Sequence, residues 1–208
     1  IVAGDIFDNP MPGNISQKLV FDFFARLSSA GVRSVILAGN HDGQVFVPSK
    51  SLLSLGTASV FEKPSNEQYQ LAFRSRADEP VVITALPYPH ERLIMRLNGV
   101  TDDVRGNYAD SVSNFIRWLA GKMDPADINI FAAHLMIGGA QLTETERPLS
   151  VSPFFEVPPQ NLPSQTMYNA LGHVHRHQQI VKAPARTEYA GSIFRVNFSE
   201  EGTPKGFN

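Results

Sequence analysis

Four apolar segments of this chain end alike, and that repetition limits its fold more than any other feature. Residues 1–3 run into Gly4-Asp5-Ile6-Phe7-Asp8, and residues 34–38 into Gly39-Asn40-His41-Asp42. Residues 128–133 stop at His134, and 168–171 lead into Gly172-His173-Val174-His175. Short runs of continuous apolar, β-favouring residues are strands buried on both faces, as in a covered parallel sheet. Between the first two lies a helical stretch over 16–29, with Leu19, Val20, Phe23, Phe24 and Leu27 at helical spacing and Gly31 as its stop. Strand, helix and strand make a βαβ unit. In layered α/β proteins the carboxyl ends of parallel strands form one rim where ligands bind, so residues distant in sequence converge there.

The rest of the chain agrees with a single α/β body. Residues 60–62, 69–73 and 81–86 read as strands, the last closed by Pro87-Tyr88-Pro89. A short helix is expected over 51–55. A longer one over 108–122 carries Val112, Phe115, Ile116 and Leu119 on one face. Residues 143–163 are rich in proline and turn formers and read as a long loop, and 187–190 and 194–198 read as closing strands. The 208 residues suffice for one large core. With 18 Lys+Arg against 20 Asp+Glu the net charge is −2, which excludes a strongly basic nucleic-acid-binding body. The absence of cysteine excludes a disulfide scaffold, thiolate metal sites and thiol catalysis, and suits a reducing, cytoplasmic setting. No apolar run reaches the roughly 20 residues that span a bilayer. The chain opens on Ile1 in what reads as mid-strand and stops after a turn at 200–208, so further sequence is expected at both ends.

The residue types at the four strand ends are carboxylate, carboxamide and imidazole, with no sulfur, the set that holds hard and borderline divalent metals. Each alone has a plainer reading. Gly4-Asp5 is a common turn, Asn40-His41-Asp42 a polar loop, and His134 a hydrogen-bonded core histidine. His173 and His175, alternate residues of an extended segment, face one side. Four coincidences at equivalent positions are needed to dismiss them together. By contrast His90, His177, Arg74, Arg76, Arg92 and Arg96 read as loop or surface residues. Phe23, Phe24, Phe115 and Trp118 read as helix residues facing the core or a partner.

In this order, Gly4-Asp5-Ile6-Phe7-Asp8, Gly39-Asn40-His41-Asp42, His134 and Gly172-His173-Val174-His175 resemble four successive motifs of the calcineurin-like metallophosphoesterase superfamily. Leu86-Pro87-Tyr88-Pro89 and the stretch from Tyr189-Ala190-Gly191-Ser192 through Phe194–Phe198 to Lys205-Gly206-Phe207 resemble, more narrowly, its SbcD nuclease family. The resemblance implies a layered α/β/β/α sandwich, with helices flanking two packed mixed sheets. It implies a nuclease domain over 1–199, its first strand before residue 1, and a cap region beginning at 200–208. It also implies two divalent ions, manganese above magnesium or iron. Asp5 would bridge them; Asn40, His134 and His173 would complete one site and His175 would serve the other. His41 would protonate the leaving oxygen, and Asp8 and Asp42 would support ligands. The family's opening Asp-x-His motif has no match here.

The function implied is metal-dependent hydrolysis of DNA phosphodiesters, exonucleolytic on duplexes and endonucleolytic on single strands. It would serve recombination and repair beside an SbcC-like SMC-family ATPase, in a cytoplasmic homodimer. Other members of the superfamily act on cyclic nucleotides, phosphoproteins or small phosphoesters, and some are non-catalytic scaffolds. Retention of His41 and the ligand set argues against the last.

Overall fold

The computed structural model describes residues 1–42, 53, 56–99, 108–146, 155–195 and 197–208. Alternation along its strands builds four layers. In β1 (Ser34–Leu37), Val35 and Leu37 face one side, while Ile36 and the following Ala38 face the other. This strand pairs in parallel with β2 (Ala58–Phe61), and a parallel bridge joins Val2 to Ile36 along its opposite edge. A second sheet, among the described residues, runs β3-β4-β5-β6-β8-β7. Its strands are β3 (Gln70–Arg74), β4 (Pro80–Leu86), β5 (Ile128–His134), β6 (Tyr168–Gly172), β7 (Gln178–Gln179) and β8 (Thr187–Tyr189). Strands β4, β5, β6 and β8 are parallel, and the short edges β3 and β7 are antiparallel.

Three apolar cores separate the layers. Helix α1 (Asn14–Ser29) sets Phe24 on Ile36, Ala38 and Val60. Between the sheets Val35, Leu37 and Phe61 meet Ile83, Ala85 and Ala132. On the far side α2 (Glu91–Leu97) and α3 (Tyr108–Ala120) pack Ile94, Val112, Phe115 and Leu119 on Leu86, Phe131, Ala133 and Leu171. The architecture is the α/β/β/α sandwich expected from sequence.

Several local expectations need correction. On α1 the apolar arc is too wide to seat whole: Val20, Phe24 and Leu27 pack inward, while Leu19 and Phe23 remain 66% and 53% exposed. Helix α2 was hidden by the flanking prolines and its single turn of buried residues, Ile94 and Met95. Residues 194–198 form no strand among those described. The edge of β8 is already taken by β7, and the Asn197 side chain accepts from Ser199 N–H to start a 3-10 turn at Phe198–Glu200. The helix expected over 51–55 lies, apart from Leu53, outside the described residues, as does the middle of the 143–163 loop.

Candidate metal centre

The site is assembled where the parallel strands end. After the Val2 bridge the chain turns through Gly4 at φ +93° and Asp5 at φ +51°. Gly4 is required twice, because a Cβ there would also strike the His134 ring. Gly39 is needed for close approach, since its Cβ would occupy the place of the Asp5 carboxylate. The fully buried Asp42 ties these two loops together: one carboxylate oxygen accepts from Phe7 N–H at 3.1 Å and the other from Gly39 N–H at 2.9 Å. Asp5 Oδ1 in turn accepts from His41 N–H at 3.0 Å. His134 is the last residue of β5, and His173 follows β6 at φ +99°. That backbone region favours glycine and costs a histidine on the order of 1–3 kcal/mol.

Four donor atoms meet here. His134 Nε2 lies 3.2 Å from Asp5 Oδ2 and 3.1 Å from Asn40 Oδ1, and His173 Nδ1 lies 3.0 Å from Asn40 Oδ1 and 3.2 Å from His134 Nε2. Two ligands held about 2.1 Å from a first-row dication are separated by roughly 3.0 Å in an octahedron and roughly 3.4 Å in a tetrahedron. The observed spacings suit such an ion, and so does the oxygen–nitrogen donor set. Asp5, His134 and His173 satisfy the geometry of a possible metal site.

Protonation is set by fixed partners. His134 Nδ1 is 2.6 Å from the Ala3 carbonyl, which can only accept, so Nδ1 carries the hydrogen and Nε2 faces the cluster. Burial alone would raise the Asp5 carboxyl, but His134 and then His41 hold it well below the usual carboxylate range. Burial alone would depress His134, and the Asp5 carboxylate reverses this and raises it. Burial pushes Asp42 up despite its two N–H donors, with Asp5 adding to the rise.

The remaining sequence candidates divide. His41 is half-buried beside the cluster, its Nδ1 2.6 Å from the Asp8 carbonyl, so Asp8 reaches it through the main chain. His175 lies outside the Asp5–His134–His173 group; its Nδ1 meets Thr145 Oγ1 at 2.7 Å and its N–H donates to Glu146 Oε1 at 2.9 Å. His177 Nδ1 donates to the Tyr189 carbonyl. His90 precedes α2, exposed and edge-on to Tyr88. Arg74, Arg76, Arg92 and Arg96 are exposed, and Phe115 is core with Trp118 stacked on it. Sequence reasoning missed Thr145, Glu146, Glu200 and Lys205, which surround His175, and gave Tyr88 no part, although its ring centroid is 5.9 Å from that of His173. The Pro87-Tyr88-Pro89 turn was the visible signal for Tyr88. Lys205 lay within the family-like Lys205-Gly206-Phe207 stretch but was given no role, and nothing marked Thr145, Glu146 or Glu200.

No family model matches the chain. It is homologous along 99% of its length to the SbcD component of the nuclease SbcCD from Bacillus subtilis, at 31% identity, and from Escherichia coli K12, at 30%. The chain spans about half the length of these curated relatives, 54% and 52% respectively. Among solved structures, a putative 5'-nucleotidase from Staphylococcus aureus aligns with a TM-score of 0.52 at 13% identity, over 90% of this chain and 38% of that one. A phosphopantetheinyl hydrolase from Mycobacterium tuberculosis aligns with a TM-score of 0.51, also at 13% identity, over 95% and 82%. The chain shares its fold with these two proteins. No described helix is long and apolar enough to cross a membrane.

Proposed function

We propose that this chain is the metallophosphoesterase part of an SbcD-type DNA nuclease, hydrolysing phosphodiester bonds with divalent metal. The observation that carries the reading is the convergence of Asp5, Asn40, His134 and His173, with His134 within 3.2 Å of the other three and Asn40 3.0 Å from His173, in a homologue of such nucleases. Two divalent ions, manganese in preference to magnesium or iron, would be held by Asp5, Asn40, His134 and His173 on one side and by Asp5 and His175 on the other. Such ions lower the pKa of bound water and neutralise phosphate charge. The chain's own residues do the rest. Asp5 stays ionised, and Asp42 holds the Asp5 and Asn40 loops in register. With His41 Nδ1 committed to the Asp8 carbonyl, Nε2 is the atom free to deliver a proton to the departing sugar oxygen.

Residues 1–199 would form this catalytic domain and 200–208 begin the connection to a cap. The working assembly would be cytoplasmic and include DNA and an SbcC-like SMC-family ATPase. A homodimer is supported by α1: Ile15, Leu19 and Phe23 repeat every fourth residue and are 80%, 66% and 53% exposed, with Met11, just before the helix, 79% exposed. Leu19→Glu with Phe23→Glu should give a folded monomer by light scattering; an unchanged dimer removes α1 from the interface.

The activity test compares labelled duplex DNA with p-nitrophenyl phosphate and a cyclic dinucleotide, each with manganese. Cleavage of DNA in preference to both is expected. Turnover confined to the small substrates would replace the nuclease reading with that of a small-phosphoester hydrolase.

A further inference from the structure

Beside the four-donor cluster lies a second polar network that no catalytic role yet uses. Glu200 is fully buried, and its Oε2 pairs with Lys205 Nζ at 3.1 Å. Its Oε1 lies 2.8 Å from Thr145 Oγ1, and Thr145 Oγ1 lies 2.7 Å from His175 Nδ1. Lys205 Nζ also donates to the His175 carbonyl at 3.0 Å and to Ser192 Oγ at 2.6 Å. Glu146 completes the enclosure: Oε1 accepts from His175 N–H, and Oε2 accepts from the Thr143 N–H and hydroxyl, both at 2.8 Å.

Counting protons resolves the direction of these bonds. Thr145 has one hydroxyl hydrogen and three polar neighbours: Glu200 Oε1, His175 Nδ1 and, at 2.6 Å, Thr143 Oγ1. The ion-paired Glu200 carboxylate can only accept, so it takes the Thr145 hydrogen. The Thr143 hydrogen is already directed to Glu146. Thr145 oxygen must then accept from His175, which places a hydrogen on Nδ1 and leaves the Nε2 lone pair open.

We infer that Glu200 is a positioning residue: acting through Thr145, it fixes His175 as the Nδ1–H tautomer and presents Nε2 for metal. The inference rests on the metal reading above. It also gives the 197–208 segment a task, since its glutamate and lysine clasp a ligand residue of the domain they leave. Partners of this kind, bonded to the outer nitrogen of a ligating imidazole, typically change metal affinity about 10- to 100-fold.

The test uses the full-length protein labelled with 15N-histidine, free of metal and at alkaline pH, where long-range proton–nitrogen spectra distinguish the two tautomers. Wild type should show His175 with a protonated-type Nδ1. In Glu200→Gln, Lys205 will hold the amide oxygen and turn the amide N–H toward Thr145. The Thr145 hydrogen is then released toward His175, so the signal should move to the Nε2–H form. Thr145→Val, which leaves the Glu200–Lys205 pair intact, should give a tautomer mixture, and Thr145→Ser should restore the wild-type spectrum. Manganese titration should show about 10-fold or greater weakening in Glu200→Gln and Thr145→Val. An Nε2–H His175 in wild type, or an unchanged spectrum in both variants, overturns the inference. If the tautomers behave as stated while no variant alters manganese binding, the positioning stands and the assignment of His175 as a ligand falls.

Discussion

Removing one oxygen atom from Tyr189 should cost this fold several times what a typical surface substitution does. Tyr189 is fully buried in β8, and its hydroxyl bridges the chain just past His134: it donates to the Leu135 carbonyl at 2.8 Å and accepts from Ile137 N–H at 2.9 Å. Burial pushes the phenol well above its ordinary range, only partly offset by the Ile137 N–H, so it stays neutral and serves both bonds at any working pH. Tyr189→Phe keeps the ring and orphans one buried donor and one buried acceptor, at about 1–3 kcal/mol each. With the phenol's own desolvation relieved, a net loss of roughly 2–4 kcal/mol is expected. For a domain of this size that lowers Tm by roughly 4–16 °C. Urea unfolding monitored by circular dichroism gives the value directly, with an unchanged slope as the sign that only the native state was altered. Tyr168→Phe is the internal control, because its hydroxyl bonds to Glu188 and Asn208 lie at the solvent edge and should be worth under about 1 kcal/mol. If Tyr189→Phe lost no more than Tyr168→Phe, the claim that this hydroxyl clamps the exit of the His134 strand would be refuted.

Three further outcomes follow from the site. His41→Gln should retain manganese binding by calorimetry while DNA cleavage falls at least about 100-fold; parallel loss of metal would make His41 a structural or ligating residue instead. Gly39→Ala should weaken metal binding without unfolding the chain, because the added carbon displaces the Asp5 carboxylate and leaves the distant cores untouched; an unchanged affinity would show that the loop can yield. The Asp5–His134 pair gives metal-free stability two limbs. Asp5, lowered in the fold, stabilises above its unfolded value of about 3.9 and loses that contribution as acid protonates it. His134, raised in the fold, stabilises below its unfolded value of about 6.5 and loses that contribution as pH rises through its folded value. Thermal unfolding should therefore occur at falling temperature as pH climbs past neutrality without metal, and manganese should abolish the fall; a flat metal-free profile would contradict the pairing.

What sequence made legible was whatever repeats locally. The four layers follow from continuous apolar runs and one strongly periodic helix, α3. The site's donors are visible because each sits at a strand end behind a glycine or a buried small residue. Failure came wherever tertiary contact chose among equal local options. The arc of α1 carried five apolar residues, and only packing on Ile36 and Val60 decides that Phe24 turns inward and Phe23 outward. Residues 194–198 had strand-like composition, but the edge they needed belonged to β7. Asp8 and Asp42 looked equivalent in sequence; Asp42 acts through a buried carboxylate and Asp8 through its carbonyl, which composition does not display. Glu200 reaches Thr145 across 55 residues from a stretch that reads as a charged surface turn.

These contacts together explain how a chain of net charge −2 can present a phosphate site. An imidazole with one nitrogen committed presents the other in a fixed direction, whether to a metal or to a leaving oxygen, and here the commitments are made by separate parts of the fold. Ala3 holds His134, Asp8 holds His41, and Thr145 with Glu200 holds His175. In each case Nδ1 is occupied and Nε2 is left, whereas His173 turns Nδ1 to the cluster from a strained backbone. Two of the three commitments are main-chain carbonyls, so they need no particular side chain and introduce no formal charge. The positive charge that meets a phosphate can then come from bound cations rather than from lysine and arginine. A nearly neutral surface is compatible with DNA as substrate on those terms, because the local sign at the rim is set by what the donors hold.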